Sequence, residues 1–170
     1  MNAIKHRFVW FLSVCLLPCA VLADAFTGVW SGTVSEGGES YQFEVTFSRD
    51  GYPIFSYTNN KDLTRQLELR SPGQKIQYVP NGGGVQTYVL EEIEKDPVRM
   101  VYALRSNFQG ASNGYLSENN HRYVVEYVLR GAELHVTIGD QADGYMGDRE
   151  GNMIGNPSQS VAKGVLKRAQ

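Results

Sequence analysis

Tyr41-Gln42-Phe43-Glu44-Val45-Thr46-Phe47 alternates apolar and polar side chains over seven residues without a fault, and Arg49-Asp50-Gly51 follows as a turn. A period of two puts Tyr41, Phe43, Val45 and Phe47 on one face of a β-strand, and the turn sends the chain back through residues 54–58. The same period recurs outward from this hairpin. It appears before it in 28–34, and after it in 63–69, 75–79, 85–90, 98–104, 122–130, 133–138 and 160–168. Ser71-Pro72-Gly73, Asn81-Gly82-Gly83-Gly84 and Gly131 supply breaks between these runs.

No window of ten or more residues carries a 3.6-residue period. Glu91-Glu92-Ile93-Glu94-Lys95, stopped by Pro97, is expected to form one helical turn. Short turns between consecutive strands imply antiparallel neighbours, and so many strands in one small domain must close or fold over to bury a face. The expected fold is all-β: an antiparallel up-and-down meander of about eight to ten strands closed into a barrel, with a two-sheet β-sandwich as the alternative. Two connections stand outside this pattern, 107–120 and 139–159. Both are rich in Gly, Ser, Asn or Asp and are expected to be long loops serving as lids or rims.

The chain has 170 residues, with 16 Lys+Arg against 18 Asp+Glu and 42% hydrophobic residues. That apolar share is enough for a packed core and argues against disorder. The absence of a basic excess argues against a nucleic-acid binder resting on bulk charge. Residues 1–25 read as a cleaved signal peptide: Lys5, His6 and Arg7 precede an apolar run from Phe8 to Ala23. Cleavage is expected after Ala23 or Ala25. The run is shorter than the roughly 20 residues a membrane span needs, and Pro18 breaks it. Residues 26–170 then form a single domain.

Cys15 and Cys19 both lie in the leader. Lipidation is disfavoured, because Leu16-Leu17-Pro18-Cys19 puts Pro just before the cysteine. The processed chain has no thiol, so thiol catalysis, disulfides and Cys metal sites are excluded. Cleavage after Ala23 removes Lys5 and Arg7 but no acid, moving the formal charge from −2 to −4. The processed protein is expected in the periplasm or outside the cell, with no integral membrane span.

Phe26-Thr27-Gly28-Val29-Trp30 carries the Gly-x-Trp pattern that opens the first strand of lipocalins, avidins and related calycin barrels, and the chain resembles that group here. The resemblance covers this tripeptide, the strand count and the chain length. It implies a closed meander barrel whose first-strand Trp30 packs across one end beneath an Arg from the final strand. Arg168 is the first choice for that role and Arg130 the second. The other lipocalin loop signature and the biotin-binding set of avidins are missing, so no ligand carries over.

Ligand binding needs an apolar, aromatic cavity with a few polar anchors. Tyr41, Phe43, Phe47, Tyr78, Tyr102, Tyr123 and Tyr127 fall on alternating positions and are the candidate lining. Periodicity leaves open whether these rings enclose a ligand or pack a solid core. Gly110-Ala111-Ser112-Asn113-Gly114 matches the G-x-S-x-G nucleophile elbow, but no helix follows it and a turn is the expected role. His121 near Glu118, and His135 near Glu133, are too sparse for a metal site and read as surface histidines. Asp148, Glu150 and Asn152 are spaced at i, i+2 and i+4 like the oxygen ligands of a Ca²⁺ loop. Arg149 interrupts them and no terminal bidentate Glu follows, so a solvated acidic loop is expected.

No cofactor and no catalytic residue is expected. The leading expectation is an exported, non-enzymatic β-barrel that binds a small apolar or amphipathic ligand. The alternative is a protein-interaction module, an inhibitor or an accessory subunit of an envelope complex, acting through its long loops. A nucleic-acid partner is not expected.

Overall fold

A computed structural model describes residues 24–58, 64–80, 83–112, 115–147 and 153–169. Residues 1–23 of the expected leader and the candidate ligands Asp148, Glu150 and Asn152 lie outside the described residues. Ten strands run in chain order: β1 Gly28–Glu36, β2 Glu39–Phe47, β3 Pro53–Thr58, β4 Thr64–Glu68, β5 Lys75–Tyr78, β6 Val85–Lys95, β7 Arg99–Ser112, β8 Tyr115–Arg130, β9 Glu133–Gly147 and β10 Met153–Arg168. They form one antiparallel sheet in the order β4-β3-β2-β1-β10-β9-β8-β7-β6-β5, strongly curled into a half-barrel. The architecture is therefore an up-and-down meander in a single sheet rather than a two-sheet sandwich.

Every neighbour in that order is consecutive in the chain except β1 and β10, which join its two ends. β1 and β2 are joined by a two-residue turn. Gly37 and Gly38 between β1 and β2 have φ of 58° and 93°, a left-handed pair that matches the natural twist of a hairpin and that side chains with a Cβ resist.

Curling brings distant strands face to face. Phe26, Trp30, Val34, Val45 and Phe47 from the β1–β2 side pack against Met100, Val125, Tyr127, Leu134, Val136 and Leu166 from β7–β10. Phe47 meets Tyr127 edge-on, with ring centroids 5.2 Å apart, although their strands are not neighbours in the sheet. A second cluster sets Leu69, with Phe55 and Leu67, against Leu90 and Leu104, with Tyr88 and Ile93. Tyr102 and Tyr123 touch both clusters.

One end is plugged. The Trp30 indole N–H donates to the Phe26 carbonyl at 2.7 Å, and the Arg168 guanidinium lies 4.8 Å above the Trp30 ring centroid while donating to the Ala25 carbonyl at 2.6 Å. Cation–π attraction and a charge-assisted hydrogen bond thus hold the final strand over the first. Lys95 pairs with Asp24 and lies 5.9 Å from the Phe26 ring centroid, tying β6 to the same plug.

Two expectations are corrected. Residues 91–95 are the end of β6, not a helical turn. The register with β7 shifts between Leu90 and Glu92, a bulge that leaves Glu91 unpaired in the ladder. Its carboxylate instead accepts from Arg105 Nε at 2.5 Å and Arg122 Nε at 2.9 Å. Helix-forming composition loses here to pairing along a strand already begun at Val85.

Within the described residues, the two expected loops are strands as well. The β7–β8 ladder continues to Ser112↔Tyr115 and the β9–β10 ladder to Met153↔Gly147. These arms lack an apolar stripe, so hydrophobic periodicity does not signal them. Backbone pairing and polar pairs such as Asn107 with Glu118, at 3.2 Å, stabilise them instead. β1 accompanies β10 only between Trp30↔Arg168 and Ser35↔Lys163, so the β6–β10 wall rises well above the β1–β5 wall.

The β1–β10 contact is unusually close. A Cβ on Gly164 would lie 2.3 Å from the Thr33 carbonyl oxygen and 2.9 Å from Val34 Cα, and one on Gly32 would lie 2.4 Å from the Val165 carbonyl oxygen. Backbone atoms on both sides leave nothing to move. Gly164→Ala is expected to destabilise the protein by about 2–4 kcal/mol in urea denaturation. Gly139→Ala, whose Cβ would meet only the Val124 carbonyl oxygen at 3.8 Å, should change stability by about 0.5 kcal/mol or less.

Candidate functional site

Alternation along the curled strands sorts the candidate residues by height above the plug. Phe47 and Tyr127 sit in the packed lower core, 2% and 0% exposed, rather than lining open space. Tyr41, near the turn end of β2, is 42% exposed. Phe43, Tyr102, Tyr123 and Tyr78 lie between these extremes, half-buried in the interior or along the seam of the sheet.

The wall has a side opening. β2 and β3 share only two register pairs, Thr46↔Ile54 and Phe47↔Pro53, and diverge beyond them. A cleft of about 410 Å³ fills the divergence, lined by Phe43, Glu44, Val45, Thr46, Pro53, Ile54, Phe55, Ser56, Leu69 and Tyr102. Its floor is apolar and aromatic. Tyr102 belongs to β7 on the opposite wall, so the cleft reaches the interior rather than creasing the surface.

Above Tyr102 the interior turns polar. Ser106, His121 and Asp140 are neighbours across β7, β8 and β9, through the pairs Ser106↔His121 and Tyr123↔Asp140. His121 Nδ1 lies 3.0 and 3.1 Å from the two Asp140 oxygens, and the imidazole stacks on Tyr123 with centroids 5.4 Å apart and planes 6° from parallel. The buried Ser106 hydroxyl accepts from Gln86 Nε2 at 2.8 Å. Burial, with Asp140 nearby, pushes the Tyr123 hydroxyl up to about 12. Burial, with Tyr78 beside it, does the same to Tyr88.

The backbone ladder does not run from β4 to β5, the two edges of the sheet. Aromatic rings span this seam instead: Phe55 meets Tyr88 at 4.8 Å between centroids, and Tyr57 meets Tyr78 at 5.1 Å. Tyr78 is therefore a seam residue.

His121, Asp140, Tyr88, Ser106, Phe55 and Leu69 escape the sequence reading. His121 has its partner on β9 and not in Glu118, which bonds Asn107 and Asn120. Extending the Tyr123-Val125-Tyr127 parity back by two residues places His121 on the inner face, one residue before the 122–130 run that the alternation marks. His135 faces outward beside Glu133 at 3.9 Å. Gly110, Ala111 and Ser112 end β7, and Asn113 and Gly114 lie outside the described residues. Among the described residues no group of three or more His, Cys, Asp or Glu is placed to hold a metal ion, and no helix is long and apolar enough to cross a membrane.

Against known proteins, the chain matches no family model, no curated sequence and no solved structure.

The raised tyrosines have a measurable signature. The folded protein keeps protons on Tyr88 and Tyr123 that the unfolded chain releases near pH 10, so their contribution to stability is intact below pH ~10. It is expected to fall as the pH rises through about 12. Ultraviolet titration at phenolate absorbance should show Tyr88, Tyr102, Tyr123 and Tyr127 titrating late, and Asp140→Asn should move Tyr123 downward.

Proposed function

We propose that the protein is an exported, non-enzymatic β-barrel of calycin type that binds a small apolar or amphipathic ligand in the β2–β3 cleft and the interior behind it. One observation carries the reading. The cleft of about 410 Å³ has an apolar floor of Phe43, Val45, Phe55 and Leu69 and is bounded inward by Tyr102, above which the inner face of β7–β9 carries His121, Asp140 and Tyr123. An amphipathic molecule matches that gradient, and pockets of this size and character suit small ligands. The packed lower core supplies the rigid base on which such a site depends.

The calycin element of the proposal rests on Gly28-x-Trp30 with Arg168 over the indole, within a curled antiparallel meander. Export rests on the leader-like 1–25 segment and places the protein in the periplasm or outside the cell.

Native mass spectrometry of the protein purified from its own host tests the reading. The expected spectrum contains a species heavier than the processed chain by one small molecule, released on collisional activation. Chain mass alone, together with no binding across a panel of neutral and charged lipids, would sink it. Ser56→Trp, at an exposed position on the cleft wall, should weaken binding about tenfold or more, the scale of 1.4 kcal/mol per decade. Its thermal midpoint should stay within a few degrees of the parent's, since the change is at the surface.

A further inference from the structure

Among the described residues, one buried side-chain polar atom lacks a hydrogen-bond partner. The Tyr127 hydroxyl is buried and makes no hydrogen bond of ordinary geometry among the described residues. A buried donor without a partner is costly, and native interiors rarely keep one without a reason. The group it interacts with is the hydroxyl of Tyr102, whose ring centroid lies 6.2 Å away. Burial, with Tyr102 beside it, pushes Tyr127 well above the ordinary tyrosine value. Tyr102 is raised by burial too, so both rings stay protonated at neutral pH.

Tyr102 forms part of the cleft lining. A hydroxyl accepts through oxygen and donates one proton. If Tyr127 donates to the Tyr102 oxygen, the Tyr102 proton is left for the cleft. The cleft lining offers that proton no carboxylate but Glu44 and contains no cationic side chain.

Resting on the ligand-binding reading above, we propose that the cleft takes a neutral ligand with an apolar body and one hydrogen-bond acceptor, such as a ketone or ester carbonyl, which receives the Tyr102 proton with Tyr127 behind it. A pure hydrocarbon would displace water from Tyr102 and leave its donor unmet. A carboxylate would meet Glu44 with no counter-charge in the lining. An ammonium pairs with Glu44 but has nothing to accept from Tyr102. The cleft has room for at most roughly fourteen water-sized groups, at the ~30 Å³ each occupies in a liquid, which bounds the ligand to a short chain or one or two rings.

The test measures displacement of the neutral two-ring fluorophore 1-naphthylamine from the purified protein by 2-octanone, n-nonane and octanoate, three probes of similar length. The expected result is that the ketone displaces at about tenfold lower concentration than the other two. Tyr102→Phe should bring the ketone to the hydrocarbon's level and leave the hydrocarbon unchanged. Tyr127→Phe, which removes the orphan hydroxyl, should shrink the ketone's advantage without lowering the thermal midpoint, and it serves alone should Tyr102→Phe fail to fold. Equal displacement by ketone and hydrocarbon, a preference for octanoate, or a ketone advantage untouched by both substitutions overturns the acceptor proposal while leaving ligand binding standing. Failure of the fluorophore and of all three probes to bind overturns the ligand-binding reading and this inference together.

Discussion

The pairing of β1 with β10 is the constraint on which the rest of the molecule depends. Without it the chain is two meanders, β1–β4 and β5–β10, each with one apolar face and nothing to cover it. With it the sheet becomes continuous, and the strand twist rolls the two meanders toward each other until Phe47 reaches Tyr127 and Leu69 reaches Leu90. Gly32 and Gly164 let the first and last strands approach as closely as they do, and Arg168 over Trp30 secures the far end of the same ladder.

The β1–β10 ladder is continuous, whereas pairing is sparsest between β2 and β5. β2 and β3 share two register pairs, and β4 and β5 share none. The candidate site lies in this less tightly paired sector, whereas the plug and lower core lie beside β1 and β10. Binding surfaces commonly sit where local stability is lowest, since an opening needs backbone that is not fully committed to a ladder.

How much of this was legible from residues alone follows the hydrophobic pattern. The 41–47 alternation puts Phe43, Val45 and Phe47 on one face, and the structure turns that face inward, where a slip of one residue would expose all three. Gly28-x-Trp30 singles out the indole that Arg168 covers. The pattern fails where both faces of a strand are polar. Asn107, Glu118 and Asn120 bond one another across β7 and β8, yet in sequence they look like loop. The site's polar half was lost for the same reason: His121 and Asp140 lie on those arms, nineteen residues apart, and only strand register brings them together. The cleft was invisible because it arises from pairs that are missing between β2 and β3, and no residue type announces a missing pair.

The seam between β4 and β5 has a consequence for the protein in a crowded compartment. An open sheet exposes backbone donors and acceptors at its edges, and such edges recruit strands from other chains into aggregates. Here the two edges are consecutive, only five and four residues long, and bridged by Tyr57 on Tyr78 and Phe55 on Tyr88. The wall thereby keeps a line along which it is not hydrogen-bonded shut, spanned by ring contacts in place of a backbone ladder.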